Sequence, residues 1–352
     1  MSAPVERDWD VVPFQPGDER DVLELFNREF HQDRSMAHWK WKFLENPYGG
    51  PFHVLARRRS DGKLCGNHIV MPFPLNQDGR KLIGCHSLDL VVDRDYRGQG
   101  IFEKTGGACM DRCRDAGVSA VVAFPNQSSY PGFVRTLGWR RITFLKRWTY
   151  PLNRARKLRS PALVALASAP IDAMARIGVA ALRRANPGAG LRFTLERQAP
   201  ADYDLLWRAL ASLEVFSLWK DREYLQWRYA SHPDQEYQFA SLRDGDTLVA
   251  EAVIGLVGTT LWIAELFARD RSLEHARALV AQLLAQGLEW RAAEAAFLGH
   301  DSGWFGQALM GFAVRPAADV VYVGRALADE ALTRRMELPG NWSITFGDAD
   351  FV

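Results

Sequence analysis

"DLVVDRDYRGQGIFEK", residues 89–104, reads as a strand that runs into a turn and then opens a helix. Two glycines, Gly98 and Gly100, fall within three positions of that turn. Glycine takes positive φ at no steric cost and lets the backbone approach a ligand closely. N–H groups at the mouth of the following helix then point the same way. Such a mouth holds an anion, most often a phosphate, without a side-chain charge.

The surrounding chain has room for more than this unit. Its 352 residues are long for one core and comfortable for two domains. A content of 47% hydrophobic and 24% charged residues is that of a globular protein. Lys+Arg at 44 against Asp+Glu at 42 leaves no bulk charge to attract nucleic acid. The start, "MSAPVERDWD", is polar and lacks an apolar targeting core. The richest apolar run, residues 162–169, falls short of the ~20 residues a spanning helix needs. These features predict a cytoplasmic protein with no membrane span. Cys65, Cys85, Cys109 and Cys113 do not form a disulfide framework. Cys109 and Cys113 share a helix face, but without a histidine pair they read as buried thiols, and no metal is expected.

A repeat sets the domain count. Trp41-Lys42-Phe43 followed by Asn46-Pro47 matches Trp227-Arg228-Tyr229 followed by His232-Pro233 at the same spacing. Each is followed by a strand, an Asp-Gly hairpin turn (Asp61-Gly62; Asp244-Gly245) and a second strand. Self-similarity of this length indicates duplicated domains. The first half reads βααβββαβαβ, ending in a strand at residues 139–150, and the second half repeats that order from about Leu191.

That order, with Arg97-Gly98-Gln99-Gly100-Ile101-Phe102 after the fourth long strand, resembles the GNAT acyltransferase family, and within it the tandem-GNAT proteins. The family pattern is Arg/Gln-x-x-Gly-x-Gly/Ala, and Phe102 departs from its last position. "FPNQSSYPGFVRTLGW" is similar to the family's later motif, with Asn126 and Gly138-Trp139 in the matching places. The resemblance implies an α+β fold of two tandem GNAT-like domains, each a mixed central sheet flanked by helices. The expected division is a first domain over 1–150, a basic helical connector over 151–190 and a degenerate GNAT-like domain over 191–352.

The resemblance also implies a ligand, acetyl-CoA or another acyl-CoA as co-substrate. Leu90, Val91 and Val92 would offer main-chain partners to its thioester arm. Arg97, Gly98, Gln99, Gly100, Ile101, Phe102 and Glu103 would hold its phosphates, with Asn126 behind. The family often places a glutamate six residues before the position of Val92, where this chain has His86, a residue that titrates near neutrality and suits a general base. Asp89 is a second candidate base. The family's usual acid, a tyrosine, would fall at Val134, and Tyr130 is the nearest tyrosine.

In the second half the corresponding stretch has no glycine between Glu265 and Gly287, so a cofactor loop is not expected there. That half is expected to shape the acceptor site, with Asp348 and Asp350, near Trp342 and Phe346, suited to a cationic amine. The connector carries eleven Lys/Arg against Asp172 between residues 140 and 186. Helix starts are read at Ser160-Pro161 and Pro170, with Ile171, Met174, Gly178 and Ala181 on one face. It could meet tRNA, an anionic lipid or a carrier domain, or simply pack as a linker. The expected function is N-acyl transfer to a small-molecule amine, such as a sugar or natural-product intermediate. The alternatives are Fem-like transfer from aminoacyl-tRNA and non-catalytic CoA binding.

Overall fold

The computed structural model describes residues 7–158, 160–300, 304–309, 312 and 315–349. Its first elements are β1 (Trp9–Pro13), α1 (Glu19–Phe30), α2 (Met36–Phe43), β2 (Phe52–Arg58), β3 (Leu64–Pro72), β4 (Gly84–Val92), α3 (Ile101–Asp115), β5 (Ala120–Ala123) and β6 (Arg140–Pro151). There follow α4 (Pro161–Ala185), β7 (Leu191–Glu196), α5 (Tyr203–Ala211), β8 (Tyr237–Asp244), β9 (Thr247–Val257) and β10 (Thr260–Ala268). Then come α6 (Leu273–Glu289), β11 (Glu294–Gly299) and β12 (Arg315–Ala326), with shorter helices over Trp304–Leu309 and Glu330–Met336.

Two units result, and they are interleaved. One comprises residues 1–75, 82–142 and 321–338; the other comprises 76–81, 143–320 and 339–352. The chain therefore leaves the first unit within β6 and returns to it within β12. In the first unit β5 pairs antiparallel with β12, Val323 opposite Ala123. In the second, β11 pairs antiparallel with β6, Phe297 opposite Trp148. Each sheet is completed by a strand that a contiguous division would give to the other half. Hydrophobic alternation shows that these segments are strands; it does not show which edge they join.

The first unit's sheet has the order β1-β2-β3-β4-β5-β12, with β4 and β5 parallel. Helix α3 packs on β2 and β3, and α1 packs on β3 and β4. Val54, Val70, Cys85, Cys109, Cys113, Phe133 and Trp139 share its core. The four cysteines are free, buried thiols. The second unit's sheet has the order β6-β11-β10-β9-β8-β7. Helices α4 and α6 pack together over a core that includes Ile254, Leu266, Leu279, Leu283 and Phe297.

Helix α4 corrects two expectations. It continues through Pro170 instead of restarting there, so the apolar runs on either side merge. Ala162–Ala185 is consequently long and apolar enough to cross a membrane by length and composition, where no such stretch was expected. The face packed on the core carries Ala175, Val179 and Leu182, while Met174 is exposed.

The second unit also holds a buried acid with a pH signature. Glu251 on β9 is fully buried, and its Oε2 accepts a hydrogen bond from Ser241 Oγ at 2.6 Å. Burial pushes its carboxyl up to about 8. A raised carboxyl binds its proton more tightly in the folded chain, so its contribution to stability is present below the unfolded value and is lost as pH rises toward 8. Glu251→Gln should therefore flatten this part of the profile. Thermal melts of both proteins from pH 5 to about 8.5 should show the variant gaining on the wild type as pH rises; parallel curves would contradict the assignment.

Candidate active site

The loop over residues 93–100 forms a helix mouth. Asp93 Oδ1 accepts from the Asp95 N–H at 3.0 Å, and the Tyr96 N–H donates to the Asp93 carbonyl at 2.9 Å. Gly98 and Gly100 then take φ of +75° and +85°. A Cβ at either would meet nothing within 4 Å beyond the neighbouring residues, so it is the left-handed backbone conformation that favours glycine. No side chain caps α3. The N–H groups of its first turn lack intrahelical partners by geometry and carry the positive end of the helix dipole.

Beside this mouth β4 and β5 part. Their parallel pairing runs from Gly84↔Ala120 to His86↔Val122 and stops. Strand β4 continues to Val92, still paired with β3 on its other side. Leu90, Val91 and Val92 thus keep one edge open. A register shift between Asn67 and Ile69 marks a bulge, at which Asp89 takes φ +43° and the Asn67 side-chain amide donates to the Asp89 carbonyl at 2.8 Å.

A cleft of about 730 Å³ occupies the space between mouth and strand edge. Leu90, Val91, Val92, Arg97, Gly98, Gly100, Ile101, Phe102, Glu103 and Asn126 line it. Gln99 is not among the lining residues, and its side chain lies 3.5 Å from the Asp95 carbonyl. Phe102, the departure from the family pattern, is accommodated by a glycine. A Cβ on Gly132 would come within 2.7 Å of the Phe102 ring, which also meets Phe133 edge to face at 5.6 Å. Asn126 Oδ1 accepts from the Ser128 and Ser129 N–H groups at 3.0 and 2.9 Å, which sets the turn that brings both serines to the cleft. Tyr130 instead packs, half-buried, on the core around Cys109 and Phe133.

His86 lies where the two strands part. It is 4% exposed, with Phe73 near-perpendicular at 6.3 Å and Phe124 at 5.6 Å. Phe124 in turn lies against Tyr322 at 4.7 Å. Two other histidines are also buried. Burial holds His53 down at about 4 and His68 at about 3, which makes both neutral packing residues near pH 7. Asp89 is buried beside Arg34, which bonds its carboxylate, and Lys42, whose Nζ is 3.7 Å away.

Sequence reading missed Glu29 and Phe30, which line the cleft from the last turn of α1. Glu29 Oε2 accepts from Arg97 at 2.9 Å, and Arg94 lies 3.4 Å from its other oxygen. These partners stand 68 and 65 positions away in the chain, and no local pattern announces such a pair.

In the second unit Ser272 Oγ caps α6 by accepting from the His275 N–H at 3.2 Å. Asp270 and Arg271 take left-handed φ without glycine, and the Arg269 guanidinium donates to the Leu248 carbonyl. The helix mouth is therefore occupied by the chain's own side chain. Glu265 stands three residues before the end of β10, as Asp89 stands before the end of β4. Its carboxylate takes bonds from Lys220 Nζ at 2.9 Å, Thr345 Oγ1 at 2.7 Å and Tyr229 OH at 2.8 Å. Asp348 is drawn into the same buried cluster, 2.8 Å from Lys220 Nζ. Asp350 lies outside the described residues. Among the described residues no group of three or more His, Cys, Asp or Glu is placed to hold a metal.

Residues 10–142 match the family model of the GNAT acetyltransferase domain. No curated protein sequence matches the chain. Among solved structures, a GCN5-related N-acetyltransferase from Kribbella flavida is 16% identical with a TM-score of 0.63, over 91% of this chain and 71% of that one. A GCN5-related N-acetyltransferase from Anabaena variabilis is 11% identical with a TM-score of 0.66, over 91% and 73%. Saccharomyces cerevisiae N-myristoyltransferase with bound myristoyl-CoA is 13% identical with a TM-score of 0.57, over 92% and 84%. At these identities the likeness is one of fold.

Proposed function

We propose that this chain is an acyl-CoA-dependent acyltransferase that passes an acetyl or other acyl group to the amine of a small molecule; the match of residues 10–142 to the GNAT acetyltransferase model supports the reading. The observation that carries the reading is the uncapped mouth of α3, with left-handed Gly98 and Gly100, set beside the open edge of β4. The mouth would take the CoA phosphates through main-chain N–H groups. Leu90, Val91 and Val92 would pair with the amide groups of the thioester arm as a strand would. The arm then leads toward the point where β4 and β5 part, and His86 lies there.

In this reading a neutral amine attacks the thioester carbonyl, the C–S bond breaks and the CoA thiolate leaves. His86 takes the proton that the amine gives up, directly or through a water. Phe73 and Phe124 hold its ring and exclude bulk solvent. Tyr130 packs on the core, so the proton for the thiolate is assigned to solvent. Asp89, already between Arg34 and Lys42 and at the β3–β4 bulge, is given a structural part. Asp348 is committed to Lys220, so the reading gives it a structural part in place of direct amine binding.

His86→Ala should lower kcat by about ten- to a thousandfold, the range for loss of a general base. Free-thiol release from acetyl-CoA, followed across a panel of amines, measures it. Wild-type turnover in the variant would remove His86 from the chemistry.

A further inference from the structure

Helix α4 has two apolar faces, and the protein covers one of them. Ala175, Val179 and Leu182 pack into the second unit's core. Roughly opposite on the helix wheel, Leu163, Leu166, Met174 and Ile177 form a stripe that is 53%, 78%, 73% and 72% exposed. From residue 163 to 177 this stripe extends for about 21 Å at 1.5 Å per residue. A soluble helix ordinarily turns a polar face to water, so the stripe calls for an occupant.

Charge identifies that occupant. Residues 154–186 hold seven Lys/Arg (154, 156, 157, 159, 176, 183, 184) and one acid, Asp172. That acid is spent inside the protein, on Asn153 and Arg156. Arg154 and Lys157 are exposed before the helix, and Arg176, Arg183 and Arg184 along its second half. Apolar side chains between exposed arginines complement an anionic bilayer surface, with the stripe in the acyl region and the arginines at the headgroups. A second copy of the same helix fits less well, because either direction of pairing sets basic residues against basic residues. Crossing the bilayer is also excluded by packing, because one face of α4 is fixed along α6 and the Asn153 side chain bonds the Ser168 carbonyl.

We propose that α4 seats the second unit on an anionic membrane surface, lying in the interface with Leu163, Leu166, Met174 and Ile177 inserted. The test is flotation of the full chain with vesicles of phosphatidylcholine alone and with about one third phosphatidylglycerol. Binding should be at least about tenfold stronger to the anionic vesicles and should fall with salt. Leu166→Ser with Ile177→Ser should abolish it. Arg183→Gln with Arg184→Gln, which leaves the apolar stripe intact, should weaken it by about tenfold or more, since each basic residue contributes about a fivefold factor. Far-UV circular dichroism and thermal melts of the same variants report whether they are folded. The proposal is overturned by absence of binding to anionic vesicles, by equal binding to both vesicle types, or by variants that bind as the wild type does. It is also overturned if light scattering shows a dimer that Leu166→Ser with Ile177→Ser dissolves.

Discussion

Gly100→Val should reduce acetyl-CoA affinity by at least about a hundredfold, a loss of about 2.7 kcal/mol. Gly100 is the residue immediately before α3 and has φ +85°. A β-branched residue does not hold that angle. The turn would relax and rotate the first N–H groups of α3 away from the phosphates. Hydrogen bonds to charged groups are worth about 1.5–3 kcal/mol each, so the loss of one with partial loss of another accounts for the size. Because nothing beyond the neighbouring residues lies within 4 Å of the added Cβ, the fold should survive, with a lower Tm from backbone strain. Calorimetric titration beside a thermal melt separates the two effects. Affinity within threefold of wild type would mean that the mouth of α3 is not the phosphate site.

Lys220→Met should destabilise the second unit by about 3–5 kcal/mol, the usual cost of leaving buried charge without its partner. Lys220 is 2% exposed and stands between Glu265 and Asp348 at 2.9 and 2.8 Å. Burial alone pulls its ammonium down, but the Asp348 and Glu265 charges outweigh that pull and hold it above the usual lysine value. Burial likewise pushes the Glu265 carboxyl up, against the pull of Lys220. Without the ammonium, two carboxylates share a dry site with the hydroxyls of Thr345, Tyr224 and Tyr229. Adding Glu265→Gln and Asp348→Asn removes the stranded charges and should restore most of the loss, as neutral replacement of a buried ion cluster generally does. Urea unfolding of the single and triple variants measures both. A single variant within about 1 kcal/mol of wild type would show that the cluster contributes little to the fold.

What could be read from sequence was local. The glycines of residues 98–100 and the strand before them specify a turn and an uncapped helix start without help from the rest of the chain. Asn126 likewise acts on its own neighbours, Ser128 and Ser129. Features set by partners far along the chain were not legible. Glu29 reaches Arg97 across 68 positions. The bulge at Asp89 depends on pairing with β3. The exchange of β6 and β12 between units is a choice of sheet edge that two strands of similar pattern do not encode locally. Asp348 was read as suited to a cationic amine, and no local pattern shows that its partner is Lys220, 128 positions away. Phe102 looked like a defect in the loop until Gly132 supplied the space for it.

In the proposed reading the mouth of α3 holds acyl-CoA and the mouth of α6 does not. Isothermal titration of the intact protein with acetyl-CoA tests it most directly. One molecule should bind per chain, and that binding should vanish in Gly100→Val yet persist when Ser272, the residue that caps α6, is replaced by alanine. Two molecules per chain, or a single site lost with Ser272 and kept in Gly100→Val, would contradict the account.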